Sequence, residues 1–121
     1  MIREFVRLPE FERQCKRIGL NEDDIHEIEN ALLLDPTVGD MIKETGGLRK
    51  FRIALPNLDR GKSGGARVVY VDFAFYEKIY LVTAYAKTEM ENLSQVEKKE
   101  LKKLVKTLES ELKKKEKKVK K

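Results

Sequence analysis

Apolar and charged residues alternate near the start of the chain. In the segment IREFVRL, one side of an extended chain carries Ile2, Val6 and Leu8, whereas the other carries Arg3 and Arg7. A period of two residues is typical of a strand. We therefore predict that the chain opens with a β-strand.

The apolar period then lengthens, which predicts two helices. PEFERQCKRI begins with proline, a residue that is favoured at the first position of a helix. Asn21 can cap a second helix, EDDIHEIENALLL, because its side chain can accept a hydrogen bond from a free backbone N–H in the first turn. This helix is expected to end before Asp35-Pro36, since the residue that precedes proline is disfavoured in the helical conformation. Its core-facing residues recur at helical spacing and are Ile25, Ile28 and Leu32.

Three antiparallel strands are predicted in the middle of the chain, because stretches rich in β-branched and aromatic residues alternate there with turn formers. In chain order these strands are LRKFRIAL, ARVVYVDFAF and IYLVTAYAK. PNLDRGKSGG is expected to be the hairpin connection between the first two strands. In the first strand, the alternation buries Phe51, Ile53 and Leu55 and turns Lys50 and Arg52 outward together.

A final helix follows, capped by Asn92 or Ser94; Ser94 and Glu97 match the spacing of a capping box. Its apolar stripe consists of Leu93, Val96, Leu101, Leu104, Val105 and Leu108. The elements together predict an α+β fold in which a small antiparallel sheet packs against two N-terminal helices and a C-terminal helix follows. We expect one domain over residues 1–110 and a lysine-rich helix end or tail over residues 111–121.

Charge is segregated along the chain. Pro9–Glu44 holds ten acids against four basic residues, whereas Thr45–Arg67 holds six basic residues against Asp59 alone. The last eleven residues carry seven Lys and two Glu, which equals the whole formal charge of +5. A field divided in this way can orient a polyanion on one face of the molecule.

Several classes of protein are disfavoured by composition. A chain of 121 residues is enough for one domain. One cysteine, Cys15, and one histidine, His26, give neither an internal disulfide nor a metal cluster, so we predict no metal and no cofactor. No apolar run reaches the ~18 residues of a membrane span, and no signal peptide is recognisable, so a cytoplasmic protein is expected. We expect Cys15 to pack in the first helix and His26 to lie on the surface.

Three motifs carry a resemblance to a known family: GGLRKFR, KSGGARVVY and LVTAYAKTEMENLS. With the order of elements predicted above, they resemble the RelE/HigB family of bacterial toxins over nearly the whole chain to about Leu108. The resemblance implies the toxin of a type II toxin–antitoxin module, which cuts messenger RNA in the decoding site of the ribosome. It also implies an antitoxin partner, which in many HigB-like modules is a helix-turn-helix DNA-binding protein.

The candidate site residues suit RNA cleavage, in which the 2′-hydroxyl attacks the neighbouring phosphate and the enzyme supplies proton transfer and positive charge. A lysine among cations releases its proton more readily, because nearby positive charge disfavours the ammonium form. We therefore expect Lys50 to transfer protons, and Arg52 and Arg67 to bind and stabilise the scissile phosphate. Lys87 is expected to be a second acid or phosphate ligand, as basic residues stand at the comparable strand positions of RelE-like toxins. Further RNA contacts are assigned to Arg49, Lys62 and Tyr85, with Tyr85 stacking on a base.

Other interpretations stay open at this point. Lys50 and Arg52 are also compatible with ordinary solvent-facing strand positions, and the pairs Gly46-Gly47 and Gly64-Gly65 are best explained as turns. The same fold serves ParE-type toxins, which bind a topoisomerase and cut nothing, although these tend to lack the full basic set. A non-catalytic RNA-binding module is a further alternative, which would display aromatic residues on an exposed sheet face.

Overall fold

The structure, a computed structural model, describes residues 2–54, 65–86 and 93–119. Its elements in chain order are β1 (Glu4–Arg7), α1 (Pro9–Ile18), α2 (Glu22–Leu34), β2 (Asp40–Met41), β3 (Arg49–Ile53), β4 (Ala66–Phe73), β5 (Lys78–Ala86) and α3 (Gln95–Val119). A short 3₁₀ turn at Ala74–Tyr76 joins β4 to β5. The predicted α+β fold is confirmed, with a C-terminal helix after the strands.

The strands form one sheet in the order β1-β5-β4-β3-β2. The predicted meander of β3, β4 and β5 is antiparallel, as expected. At one edge, however, β1 runs parallel to β5, so the sheet is mixed. At the other edge lies β2, which was not predicted because a strand of two residues is too short to show any alternation.

One face of the sheet is closed by α1 and α2. Ile28 and Leu32 of α2 are fully buried there with Phe11 of α1, against the central strands. Asn21 caps α2 as predicted, because its side chain accepts a hydrogen bond from the backbone N–H of Asp24 at 2.8 Å. We call this surface the closed face.

Cys15 and His26 lie where the sequence indicated. Cys15 packs in the core beneath the closed face, and burial raises the pKa of its thiol to about 12. A thiol held in the protonated form is a poor nucleophile, which supports a packing role for this residue. His26 lies exposed on α2.

The opposite face of the sheet is covered in part by α3. Ser94 and Glu97 form the predicted capping box, with hydrogen bonds of 2.9 and 3.1 Å. Most of the predicted stripe packs on the sheet, but Val96 is 69% exposed, so its assignment was wrong. Val96 precedes Leu101 by about 1.4 helical turns, which places it on the far side of α3. We call the sheet surface beneath and beyond α3 the open face.

The helix α3 continues through residue 110 to Val119 in one piece. The predicted hairpin connection PNLDRGKSGG lies almost wholly outside the described residues, as do Leu55 and Asn92. Among the helices described, none combines the length and apolar character that crossing a membrane requires.

Candidate functional site

Three of the predicted basic residues, Lys50, Arg52 and Arg67, come together on the open face, beyond the part that α3 covers. Lys50 and Arg52 of β3 lie on the same side of the chain as Leu48, which precedes the strand and is fully buried under α3. Phe51 and Ile53 point to the closed face, as predicted. On this side, the chain therefore passes from a residue of the hydrophobic core to the basic residues of β3.

Two arginines face each other across neighbouring strands. Arg52 of β3 is the register partner of Arg67 of β4, and Arg67 is in turn the partner of Tyr85 of β5. Like charges that lie directly opposite in a sheet are unfavourable for stability. An anion that bound between the two guanidinium groups would offset this repulsion.

Arg67 is the more deeply placed of the two. Its Nη1 atom is buried and has no hydrogen-bond partner among the described residues. A buried polar group without a partner costs about 1–3 kcal/mol, and more when it is charged. The open face thus holds a desolvated cationic donor that a phosphate oxygen could satisfy.

A cleft joins these cations to an acid. The cleft has a volume of about 440 Å³ and is lined by Val38, Asp40, Lys50, Phe51, Arg52 and Arg67. We call it the basic cleft. Asp40 is the register partner of Lys50, so the carboxylate and the ammonium group project from adjacent strands on the same side of the sheet.

Asp40 is a site residue that was absent from the sequence prediction. In the sequence it was only one of the acids that precede the basic segment. The available signal was the turn at Gly46-Gly47, since an antiparallel hairpin that folds about Thr45 aligns Asp40 with Lys50. The glycines were interpreted as a turn, but the strand on its far side was missed.

The turn between β2 and β3 confirms the interpretation of Gly46-Gly47. These glycines have φ angles of 81° and 120°, and Glu44 also has a positive φ of 67°. Thr45 is fully buried and closes the turn: its hydroxyl donates to the carbonyl oxygen of Ile42 at 2.7 Å. The hairpin is therefore tightly specified where it delivers Lys50 into the basic cleft.

A residue of the closed face, Tyr70, fixes the segment before β2. The hydroxyl of Tyr70 donates to the carbonyl oxygen of Pro36 at 2.7 Å and accepts from the N–H of Gly39 at 3.0 Å. A Cβ atom on Gly39 would lie 2.8 Å from the backbone oxygen of Lys50. Tyr70 and Gly39 together fix the backbone that leads directly into Asp40.

Arg49 contributes to the same attachment. Its guanidinium Nη1 donates to the carbonyl oxygen of Gly39 at 2.7 Å and to that of Thr37 at 3.4 Å. The alternation of β3 places Arg49 on the opposite side from Lys50 and Arg52. Its observed contacts are with this loop, and its assignment as an RNA ligand stays a prediction.

Tyr85 lines a second cavity, of about 340 Å³, between the β2–β3 hairpin and the start of α3. We call this cavity the side pocket; Asp40 and Lys50 line it as well as the basic cleft. The Tyr85 side chain is mostly buried, with 7% exposure. Only a small part of its surface is accessible to a base.

The remaining predicted ligands, Lys62 and Lys87, lie outside the described residues. Within residues 2–54, 65–86 and 93–119, no three His, Cys, Asp or Glu side chains are grouped so that they could hold a metal ion. The described site thus consists of Lys50, Arg52 and Arg67 with Asp40 beside them. It can bind a phosphate, stabilise added negative charge and exchange protons.

A comparison with known protein families gives one match. Residues 9–121 match the family model described as the RelE toxin of the RelE/RelB toxin–antitoxin system. The matched region begins at α1 and includes every element that contributes to the basic cleft.

Proposed function

The chain belongs to the RelE toxin family of toxin–antitoxin systems, and from this premise we propose that it is a ribosome-dependent endoribonuclease that cuts messenger RNA. Inhibition of translation follows from the loss of intact message. The family membership supports action at the ribosome, and the chemistry of the basic cleft supports cleavage. We place this action in the cytoplasm, where translation occurs.

The reaction needs no nucleophile from the protein. The 2′-oxygen of the substrate forms a bond to phosphorus while the bond from phosphorus to the 5′-oxygen breaks. A base accepts the proton of the 2′-hydroxyl, and an acid delivers a proton to the leaving 5′-oxygen. Negative charge builds up on the phosphorane between these events, and fixed cations stabilise it.

One observation carries the proposal: the Nη1 atom of Arg67, beside Arg52, is buried and has no hydrogen-bond partner within the described part of the chain. A cation in this state is unfavourable in the free protein and gains most when a phosphate oxygen reaches it. The gain is largest as charge develops on the phosphorane. We therefore assign transition-state stabilisation to Arg67, with Arg52 as the more exposed second ligand of the phosphate.

Lys50 is assigned the proton transfer. Among the described lysines it is the one that lines both the basic cleft and the side pocket, and it is half-buried at their shared wall. Asp40 faces it in register. We propose that the Asp40 carboxylate accepts the proton of the 2′-hydroxyl and that the Lys50 ammonium group donates to the leaving oxygen.

Replacement of Lys50 tests this assignment. We expect Lys50→Ala to abolish cleavage of translated message while association with ribosomes is largely retained, measured by primer extension and by co-sedimentation. Lys99→Ala is the matched control, because it removes the same charge from an exposed position on α3. Loss of both properties, or of neither, would contradict the role of Lys50.

Membership of the family implies an antitoxin as partner. We propose that the antitoxin silences the toxin by covering the basic cleft with an acidic segment, and that it is a helix-turn-helix DNA-binding protein. The opposite-charge requirement follows from the cations of the cleft. A binding assay with the purified antitoxin would test this, since Arg52→Glu should weaken the complex and Lys99→Glu should not.

A further inference from the structure

The side pocket has the dimensions and walls of a ligand site. Its volume of about 340 Å³ falls within the ~300–1,000 Å³ of small-molecule sites. Apolar surface comes from Val69 in the sheet and from Leu93 and Leu101 beside it, and the small exposed part of Tyr85 adds to it. A planar, largely apolar group therefore fits this pocket better than a charged one does.

Polar groups at the wall of the pocket add directional contacts. The hydroxyl of Thr83 can donate and accept, the carboxylate of Asp40 accepts, and the ammonium group of Lys98 donates. A nucleobase combines a flat apolar face with donors and acceptors on its edge, and proteins read unstacked bases through both features. The lining of the side pocket offers both kinds of contact.

The side pocket and the basic cleft are neighbours. Asp40 and Lys50 form part of both linings. An RNA strand whose phosphate lies between Arg52 and Arg67 therefore has an adjacent nucleotide next to the side pocket. The remaining cations of the pocket, Lys43 and Lys98, favour a polyanion over an uncharged ligand.

The pocket is also held in shape before any ligand binds. The ammonium nitrogen of Lys98 on α3 lies 3.8 Å from a carboxylate oxygen of Glu44 in the β2–β3 turn. This ion pair links the two walls of the pocket, and a site that is formed in advance binds its ligand with a smaller entropic cost.

We propose that the side pocket binds the nucleobase next to the scissile phosphate and sets the base preference of cleavage. This inference rests on the proposed function, because it takes RNA to be the ligand of the adjacent cleft. Leu101 and Thr83 are then specificity-determining residues. Leu101 shapes the apolar wall, and Thr83 contacts the edge of the base.

Binding can be measured without cleavage. The probes are fluorescent 2′-O-methyl tetranucleotides that carry each of the four bases, or an abasic site, next to the central phosphate. We expect the free protein to bind the preferred base at least about 10-fold more tightly than the abasic probe, as one stacked base contributes roughly 1–3 kcal/mol. Equal binding of all probes by the native protein would overturn the proposal.

Matched variants locate the contact. Leu101→Phe fills the pocket and should abolish the difference in affinity between the probes that carry a base and the abasic probe. Val96→Phe also introduces a phenylalanine, but on the exposed side of α3, and should preserve this difference in affinity. Thr83→Val preserves shape and should change which base is preferred. Arg67→Met should lower the binding affinity for all probes by the same factor. Retention of the native preference in both Leu101→Phe and Thr83→Val would overturn the proposal.

Two further outcomes separate this inference from the proposed function. If the protein discriminates between the probes as described but translated message stays intact, the proposal of a base-binding pocket is supported and the proposed nuclease function is wrong. If Leu101→Phe blocks capture of the antitoxin and leaves base discrimination unchanged, the pocket belongs to the protein partner and our proposal is wrong. Thermal melting of each variant checks that it is folded.

Discussion

The two faces of the sheet differ in how their surfaces are covered and charged. The closed face has an apolar core that is covered by α1 and α2, and Ile28 and Leu32 of α2 are fully buried in it. The open face is apolar only beneath α3, and beyond it Arg52 and Arg67 stand opposite each other. Burial of apolar surface explains the first face. On the second face two like charges stand directly opposite each other, an arrangement that does not contribute to stability.

The contrast separates residues that hold the fold from residues that act. Arg3 illustrates the structural use of a cation: it donates two hydrogen bonds to Asp72, at 2.7 and 3.1 Å, and this pairing raises the pKa of its guanidinium. Arg67 has a buried nitrogen without such a partner among the described residues. Substitutions on the two faces should therefore change stability and activity independently.

The largest expected effect lies on the closed face. Ile28→Ala should lower the free energy of unfolding by about 2–5 kcal/mol, because it removes a fully buried side chain and leaves a cavity. Activity per folded molecule should be unchanged. Chemical denaturation measures the first quantity and a cleavage assay below the melting temperature the second.

Leu34→Ala is the control on the same helix, where the side chain is 86% exposed. It should change stability by no more than about 0.5 kcal/mol. A similar loss for both variants would mean that the closed face is not the core described above.

The next largest effect is expected on the open face, where a substitution should lower the cleavage rate and leave stability unchanged or higher. Arg67→Met should lower the cleavage rate about 10²–10³-fold, the usual consequence of removing one donor that stabilises a transition state. Its melting temperature should stay the same or rise, because an apolar side chain of similar length replaces an arginine whose buried Nη1 atom has no partner among the residues that the structure describes.

Arg3→Met is the matched control and should behave in the opposite way. It should lose about 1–3 kcal/mol of stability, since the half-buried carboxylate of Asp72 is left without its partner. Its rate of cleavage per folded molecule should be native. If Arg67→Met proved the less stable of the two variants, the structural distinction between these arginines would be wrong.

A smaller effect is expected for Tyr70, a residue of the closed face that fixes the segment leading into the basic cleft. Tyr70→Phe removes the hydroxyl that bonds Pro36 and Gly39 from the closed face, at a cost of about 1–3 kcal/mol. The loosened segment leads into Asp40, so cleavage should fall only a few-fold. Amide hydrogen exchange should be faster at Gly39 and unchanged at Ile28, and protection at Gly39 equal to that in the native protein would refute this link.

Local sequence signals predicted the elements that depend on local interactions. Asn21 and Ser94 cap their helices as expected, because a cap involves only the next three residues. The alternation in β3 correctly separated Lys50 and Arg52 from Phe51. Periodicity and capping were sufficient for these features.

Features set by distant contacts were missed. The parallel pairing of β1 with β5 joins the first and last strands of the chain and leaves no trace in local periodicity. Asp40 became a site residue only through its register with Lys50. The bond from Arg49 to the loop at Gly39 likewise depends on residues ten positions apart, and the role of Arg49 as an RNA ligand stays a prediction.

The central claim is that the open face cuts messenger RNA on the ribosome, and an in vitro translation reaction tests it most directly. Purified protein would be added with and without ribosomes, and the ends of the message mapped by primer extension. We predict cuts that are in register with codons, occur only on translated message and disappear with Arg67→Met. Intact message and unaffected translation would contradict the account and point to a ParE-type toxin that binds a topoisomerase.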